Sequence, residues 1–259
     1  MTETKLKPQS IQQEFLNGWI NASETWEYVS VDDPTGVIRA NADLTGILSV
    51  GMRIKMTNGG NVIYGIITVV GSYTGGYTSI TFLHQIDPTD SLALYLMANS
   101  AITANYYSTQ KAPFGFPLSP SSWTTYFTNA VSKIQTTPTA GVWYNLGSLT
   151  FNIPIGLWNL SYSCIGSAQV TNRVIWDFFF TLSTANNTES DTGLTVVFLD
   201  EFASQTASTR KYLYLQKILS IATKTAYYCN AKTGRANLDN IAIYNADVPL
   251  IIKMLCAYL

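Results

Sequence analysis

The sequence predicts an all-β protein, a small amino-terminal β-barrel or sandwich followed by a carboxy-terminal jelly-roll β-sandwich. Three observations predict it. The stretch Gly156-Leu157-Trp158-Asn159-Leu160-Ser161-Tyr162-Ser163-Cys164-Ile165-Gly166 puts Trp158, Leu160, Tyr162 and Cys164 on one side and Asn159, Ser161 and Ser163 on the other. That period of two is what a strand with one buried and one wetter face requires. Alternating runs of this kind recur through the chain, separated by Gly, Asn, Asp and Pro about every ten residues. Finally, four of the nine prolines fall between 107 and 140 among Ser and Thr, the composition of a connection between domains, since proline cannot donate to a strand ladder.

The elements follow in order. Residues 1–25 form an arm with a short helix: Ser10 and Gln13 fit a capping box, and Ile11 and Phe15 share a face. Residues 26–107 form the small β domain. Thr25 to Val31 alternates, Asp32-Asp33-Pro34-Thr35-Gly36 turns and Val37 to Ala40 resumes. Met52-Arg53-Ile54-Lys55-Met56-Thr57 alternates again, Asn58-Gly59-Gly60-Asn61 turns, and 62–70 returns as its hairpin partner. Gly75-Gly76 followed by 78–83 repeats the scheme. Residues 108–140 are the Pro/Ser/Thr-rich connector, with a brief helix after Ser119-Pro120-Ser121-Ser122-Trp123. Residues 141–259 are the head, with strands at 142–153, 156–165, 173–183, 194–199, 210–221, 224–229, 241–245 and 249–259, the number and length of a jelly roll.

Composition narrows the function. Charged residues are 12% of the chain and aromatics 13%, against about 25% charged in ordinary domains. So little charge implies that sister subunits cover part of the surface. A net charge of −1 with no basic patch argues against nucleic acid, whose phosphates need clustered cations. Three scattered cysteines, 164, 229 and 256, and one histidine assemble no metal-ligand spacing and no disulfide framework; the cysteines read as small core residues. The amino terminus lacks the apolar core of a signal peptide, and no run of 18 apolar residues occurs, so the expectation is no membrane and synthesis in a cytoplasm.

No catalytic constellation emerges, and neither enzyme activity nor a cofactor is expected. Asp200 and Glu201 are adjacent and point apart on an extended chain, so they do not form a glycosidase pair across a sugar. His84 has no assignable partner for a triad, and the glycine pairs lack the helix start of a phosphate cradle. Loops carry binding more readily than strands. The polar stretch 184–193 is therefore the candidate ligand site, through Asn186, Asn187, Glu189 and Asp191. The run Arg173-Val174-Ile175-Trp176-Asp177-Phe178-Phe179-Phe180-Thr181-Leu182 is apolar on both faces and must be covered on both. Its second face, Arg173, Ile175, Asp177 and Phe179, is the candidate subunit interface, with Arg173 and Asp177 as an ion pair setting register.

Five segments carry a resemblance. Asn17-Gly18-Trp19-Ile20 with Glu24-Thr25-Trp26-Glu27-Tyr28, Asp32-Asp33-Pro34-Thr35, Val50-Gly51-Met52-Arg53-Ile54-Lys55, and Tyr106-Tyr107-Ser108-Thr109-Gln110-Lys111-Ala112-Pro113-Phe114-Gly115-Phe116-Pro117-Leu118 are similar, in order and spacing, to the amino-terminal module of structural proteins from phages and prophages of Gram-positive bacteria. The resemblance covers about residues 15–125. It implies a virion protein whose amino-terminal module attaches to other virion proteins and whose head is homotrimeric. The expected role is an adhesin of tail or baseplate that binds host cell-surface saccharide; the alternative is a capsid decoration or head-fibre protein.

Overall fold

The computed structural model describes residues 17–86, 97–170, 175–201, 207–245 and 248–259. The expected helix around Ile11 and Phe15 lies outside them. The described residues are all-β, in antiparallel sheets. They divide into two compact units, 1–124 with 256–259, and 125–255.

The first unit is one seven-stranded sheet. Its strands are β1 (Ile20–Asn21), β2 (Trp26–Asp32), β3 (Thr35–Ala40), β4 (Arg53–Asn58), β5 (Asn61–Thr74), β6 (Tyr77–His84) and β7 (Ile102–Ser108), in the spatial order β1-β7-β4-β5-β6-β3-β2. Asn58 faces Asn61 across Gly59 (φ +57°) and Gly60 (φ +85°). Two successive residues at positive φ make the turn whose twist matches a hairpin, and glycine adopts it without strain. Register shifts interrupt the β5–β6 ladder at Ile67/Val69 and Val70/Tyr73, and the β2–β3 ladder at Tyr28/Ser30. Such bulges bend the strands. The sheet curls so that Trp26 of β2 and Ile102 of β7, near its two ends, share one core with Ile38, Ile54, Ile67, Ile80 and Phe82. Of the barrel and sandwich forms expected here, this is a single curled sheet around one core.

The second unit contains β8 (Thr124–Asn129), β9 (Lys133–Thr136), β10 (Tyr144–Ile153), β11 (Gly156–Val170), β12 (Ile175–Ser183), β13 (Thr195–Glu201), β14 (Ala207–Ile221), β15 (Thr225–Lys232), β16 (Asn240–Ile243) and β17 (Leu250–Cys256). One sheet runs β10-β15-β12-β13; the other runs β8-β17-β11-β16-β9, with β14 also on β11. Because β14 pairs β11 over its whole length, from Gly156↔Ile221 to Val170↔Ala207, β16 and β17 must share its opposite edge. They act as two halves of one strand position, and β8 and β9 as two halves of the next. The sheets are then (β8/β9)-(β17/β16)-β11-β14 and β10-β15-β12-β13, and the chain passes between them in the order of an eight-stranded jelly roll.

The organising strand is β11. Trp158, Leu160, Tyr162 and Cys164 are all at most 1% exposed, and the Tyr162 ring meets Phe180 of the facing sheet edge-on at 5.1 Å. At Gly166 the facing sheet leaves no room for a side chain: a Cβ there would lie 2.8 Å from the Phe178 ring and 2.9 Å from Phe198. All three cysteines are buried and free. Burial pushes the thiols of Cys164 and Cys229 far above the ordinary range, so they serve as core side chains.

Residues 108–140 depart from the expected connector and its brief helix. Phe116 stacks on Trp123 at 5.0 Å, and the Trp19 indole donates to the Phe114 carbonyl at 2.9 Å, so the proline-rich part is packed onto the first unit. A 3₁₀ turn at Pro120–Trp123 leads directly into β8, and β8 and β9 complete the head sheet. Phe127 of β8 stacks on Phe151 of β10 at 5.2 Å, so the residues expected to form the brief helix form a strand instead. The boundary falls at 124/125, and the head begins before residue 141.

Candidate functional site

The loop 184–193 joins β12 to β13, and its polar side chains are largely committed to holding it in shape. Ser183 Oγ accepts from the Ala185 N–H at 3.1 Å, and Ser190 Oγ accepts from the Thr184 N–H at 2.9 Å. Beneath the loop, the buried Asn230 amide donates to the Ala185 and Thr188 carbonyls at 2.9 and 2.7 Å. Asn187, at φ +52°, accepts from the Asn145 N–H at 2.6 Å, bracing the irregular stretch of β10. Glu189 accepts from the Thr195 hydroxyl. Asp191 caps the short turn 192–194 through Gly193 N–H at 2.8 Å and pairs with Lys217 at 2.6 Å. The hydrogen bond from Lys217 is the largest of the effects that hold the Asp191 carboxyl below its usual range. Of the four candidate ligand residues, three are thus internal braces. Asn186 is exposed.

The second face of β12 is more informative. Arg173 and the side chain of Ile175 lie outside the described residues. Asp177 is 9% exposed and accepts from the Thr233 hydroxyl at 2.9 Å and the Gly234 N–H at 2.6 Å, with Arg235 at 3.4 Å. Its described partners therefore come from the segment after β15. Phe179 is half-buried beneath Trp143, ring centroids 6.3 Å apart, with Lys232 Nζ 4.8 Å from its ring. Its register neighbours are Val197 and, opposite Asp177, Leu199, which are 54% and 63% exposed. Part of this face is therefore covered by the chain itself, and an apolar strip on β13 stays open to solvent.

The sequence does not single out the outward face of the opposite sheet. Tyr212, Tyr214 and Ile218 on β14 are 62%, 54% and 64% exposed, opposite Ile165, Ser163 and Asn159 of β11. The signal was present in Tyr212-Leu213-Tyr214-Leu215-Gln216, which alternates, but alternation alone does not say which side is wet. His84 does have an acid partner: Nε2 lies 2.8 Å from Asp33 and Nδ1 3.0 Å from the Gln85 carbonyl. Both ring nitrogens face acceptors, an arrangement that anchors the β2–β3 turn. Among the described residues no group of three His, Cys, Asp or Glu side chains is placed to hold a metal ion, and no helix is long and apolar enough to cross a membrane.

No protein-family model matches the sequence, and no characterised protein matches it. Among solved structures the chain is similar to dimeric latent PorU from Porphyromonas gingivalis (12% identity, TM-score 0.28), over 90% of this chain and 24% of that one. It is also similar to infectious bursal disease virus Gx strain (9% identity, TM-score 0.28) and to T=1 particles derived from infectious bursal virus (12%, 0.24), over 91% and 93% of this chain and 61% and 60% of theirs. The chain thus spans about a quarter of the first protein and three fifths of the others. Similarity this slight carries no argument about fold or function. The jelly-roll assignment rests on the strand connectivity.

Proposed function

We propose that this chain is a virion structural protein of a phage, an oligomeric adhesin of tail or baseplate whose jelly-roll unit recognises saccharide on the host surface. The observation that carries the reading is a jelly-roll unit with apolar and aromatic side chains exposed on both outer sheet faces, in a chain whose residues 15–125 resemble a phage attachment module. Low charge and the open strip Val197 and Leu199 beside Phe179 support a homotrimer formed through that sheet, with Ile175, Asp177 and Phe179 at its margin. Light scattering should give a trimer at micromolar concentration. Leu199→Asp should yield monomers with an unchanged far-ultraviolet circular dichroism spectrum, because a carboxylate desolvated at an interface is costly while the same group in water is not. A monomeric wild type would end the oligomer reading.

A second reading has its own observation. The loop at 184–193 is braced by its own side chains and offers few uncommitted groups, as a purely structural capsid decoration or head-fibre protein would. A glycan array with the full chain, run beside binding to purified capsids, separates the two. Saccharide binding supports the adhesin; capsid binding without saccharide binding supports decoration.

A further inference from the structure

We propose that the outward face of the (β8/β9)-(β17/β16)-β11-β14 sheet binds an anionic saccharide, a sugar bearing phosphate or carboxylate, centred on Asn159, Tyr214, Gln216 and Lys253. The proposal rests on the adhesin reading and moves its site from the loop to the sheet. Asn159, Ser161, Tyr214, Gln216, Lys253 and Leu255 line a shallow depression of about 130 Å³. Tyr212 and Tyr214 stand two residues apart on the same side of β14, about 6.6 Å along the strand. Both are more than half exposed. Exposed tyrosine offers an apolar ring for the C–H face of a sugar and a hydroxyl for its polar edge.

The polar groups point to the ligand's chemistry. Tyr214 donates its hydroxyl proton to Gln216 Oε1 at 2.9 Å, and Gln216 Nε2 donates to Asn159 Oδ1 at 2.8 Å. This chain fixes both amides and uses their acceptor oxygens. Among the described residues, the side-chain groups of the depression without a hydrogen-bond partner are the Asn159 Nδ2 group, the second N–H of Gln216, the ammonium of Lys253 and the Ser161 hydroxyl, which both donates and accepts, so donors predominate. A surface presenting donors suits a ligand rich in acceptor oxygens. Among the outward residues of β17, of 157–165 in β11 and of 212–220 in β14, Lys253 is the one ionised side chain, and it has no ion-pair partner among the described residues. Lys253 is the one cation of the depression, and Arg210, outward on β14 two residues from Tyr212 with its guanidinium over the Tyr244 ring, is a second on the same face. Positive charge placed so complements an anion and repays its desolvation through charge-assisted hydrogen bonds.

The experiment uses the full chain on an array carrying glucose and N-acetylglucosamine beside their 6-phosphates and uronic acids. Wild type should bind the phosphorylated and carboxylated sugars in preference to the neutral ones, more weakly as salt rises. Tyr214→Ala should lose at least tenfold in affinity for all of them. Lys253→Gln should keep the neutral sugars and lose both the preference for anionic ones and the salt dependence. Both positions are on the surface, so circular dichroism should be unchanged. Binding that is unaltered in both variants overturns this site and leaves the adhesin reading intact. No saccharide binding by wild type overturns both. Dissociation of the oligomer by Tyr214→Ala in light scattering makes the face a contact between copies and overturns the site.

Discussion

The two units solve the problem of specifying a β fold differently. In the first, charged and amide groups are buried inside the structure. Arg53 is fully buried, and its guanidinium donates to the carbonyls of Gly51 at 2.6 Å, Lys111 at 3.1 Å and Tyr258 at 3.0 Å, with the Phe116 ring 5.0 Å away. Asn58, 2% exposed, accepts from the Ala98 N–H at 2.7 Å and donates to the Ser100 carbonyl at 3.1 Å. In the second unit the corresponding core is made of Trp158, Trp176, Phe178, Phe180, Cys164 and Cys229, all at most 1% exposed. Both units pin irregular segments with buried polar groups, Arg53 and Asn58 in the first and Asn230 and Asp177 in the second, but in the second the two sheets are held to each other by the packing of these apolar side chains. Packing of that kind leaves both outer faces free to carry other residues, which is where the exposed tyrosines and the β13 strip lie.

The largest effect should come from the packed unit. Trp158→Ala leaves a cavity between the sheets and should cost about 3–5 kcal/mol. In hydrogen exchange the loss of protection should concentrate in β11, β14 and β17 and spare β4 and β7. Exchange spreading evenly over both units would mean that the cores do not act separately, and the contrast would fail.

Arg53→Lys probes the other unit. The charge is kept, but an ammonium cannot present the fork that reaches three carbonyls at once. Unpaired buried carbonyls should cost about 2–3 kcal/mol. The change should open the peptides around 51–58, 108–113 and 256–259 while β11 and β14 keep their protection. Arg53→Met, which keeps length and removes charge, should be no better, because the carbonyls still lack donors. Recovery of full stability with methionine would show that the cation is tolerated there and contributes little.

This contrast also marks what could be read beforehand. Strand β11 was legible because its neighbours on both sides follow the pleat, so alternation in the sequence is alternation in burial. Arg53 was not. In Met52-Arg53-Ile54-Lys55-Met56 it falls on the apparently wet side, and its cover comes from Lys111 and Tyr258, 58 and 205 residues away in sequence. His84 looked isolated for the same reason, its partner Asp33 being 51 residues away. The strands β8 and β9 were hidden by the prolines that precede them. Their pairing with β17 and β16, more than 100 residues later, leaves no local trace. At the candidate site, the composition of loop 184–193 suggested a ligand because Asn, Glu and Asp brace turns and contact sugars through the same hydrogen bonds, and sequence alone does not separate the two uses.

A smaller effect tests whether the braces of the first unit are individually significant. Asn58→Ala removes one acceptor and one donor from the segment at 97–101, and should cost about 1–3 kcal/mol. Faster exchange at 97–102 without change at 61–67 would locate the loss in that segment. Equal loosening on both sides of the hairpin would show instead that Asn58 supports the β4–β5 turn.

The smallest effect concerns the head's own polar brace, and it should depend on pH where the Arg53 clamp does not. Asp191 is held below its ordinary carboxyl range chiefly by the hydrogen bond from Lys217, with the Gly193 N–H adding to it. A carboxylate whose pKa is lower in the folded protein contributes stability that is present above the unfolded value, near 3.9, and is lost as pH falls through the folded value. Both partners are about a third exposed, so water screens the pair and its contribution to global stability is slight. The local consequence is measurable. After correction for intrinsic exchange rates, protection of the 184–194 peptide should hold from pH 7 to about pH 4 and decline below it. Asp191→Asn should show the weaker protection at every pH, since a neutral amide keeps the cap at Gly193 but loses the attraction to Lys217. Over the same range the peptide at 51–58 should not change, because neither a guanidinium nor a carbonyl titrates there. If Asp191→Asn retained the acid-dependent step, the step would not belong to the Asp191–Lys217 pair, and this pair would not be the brace that acid releases.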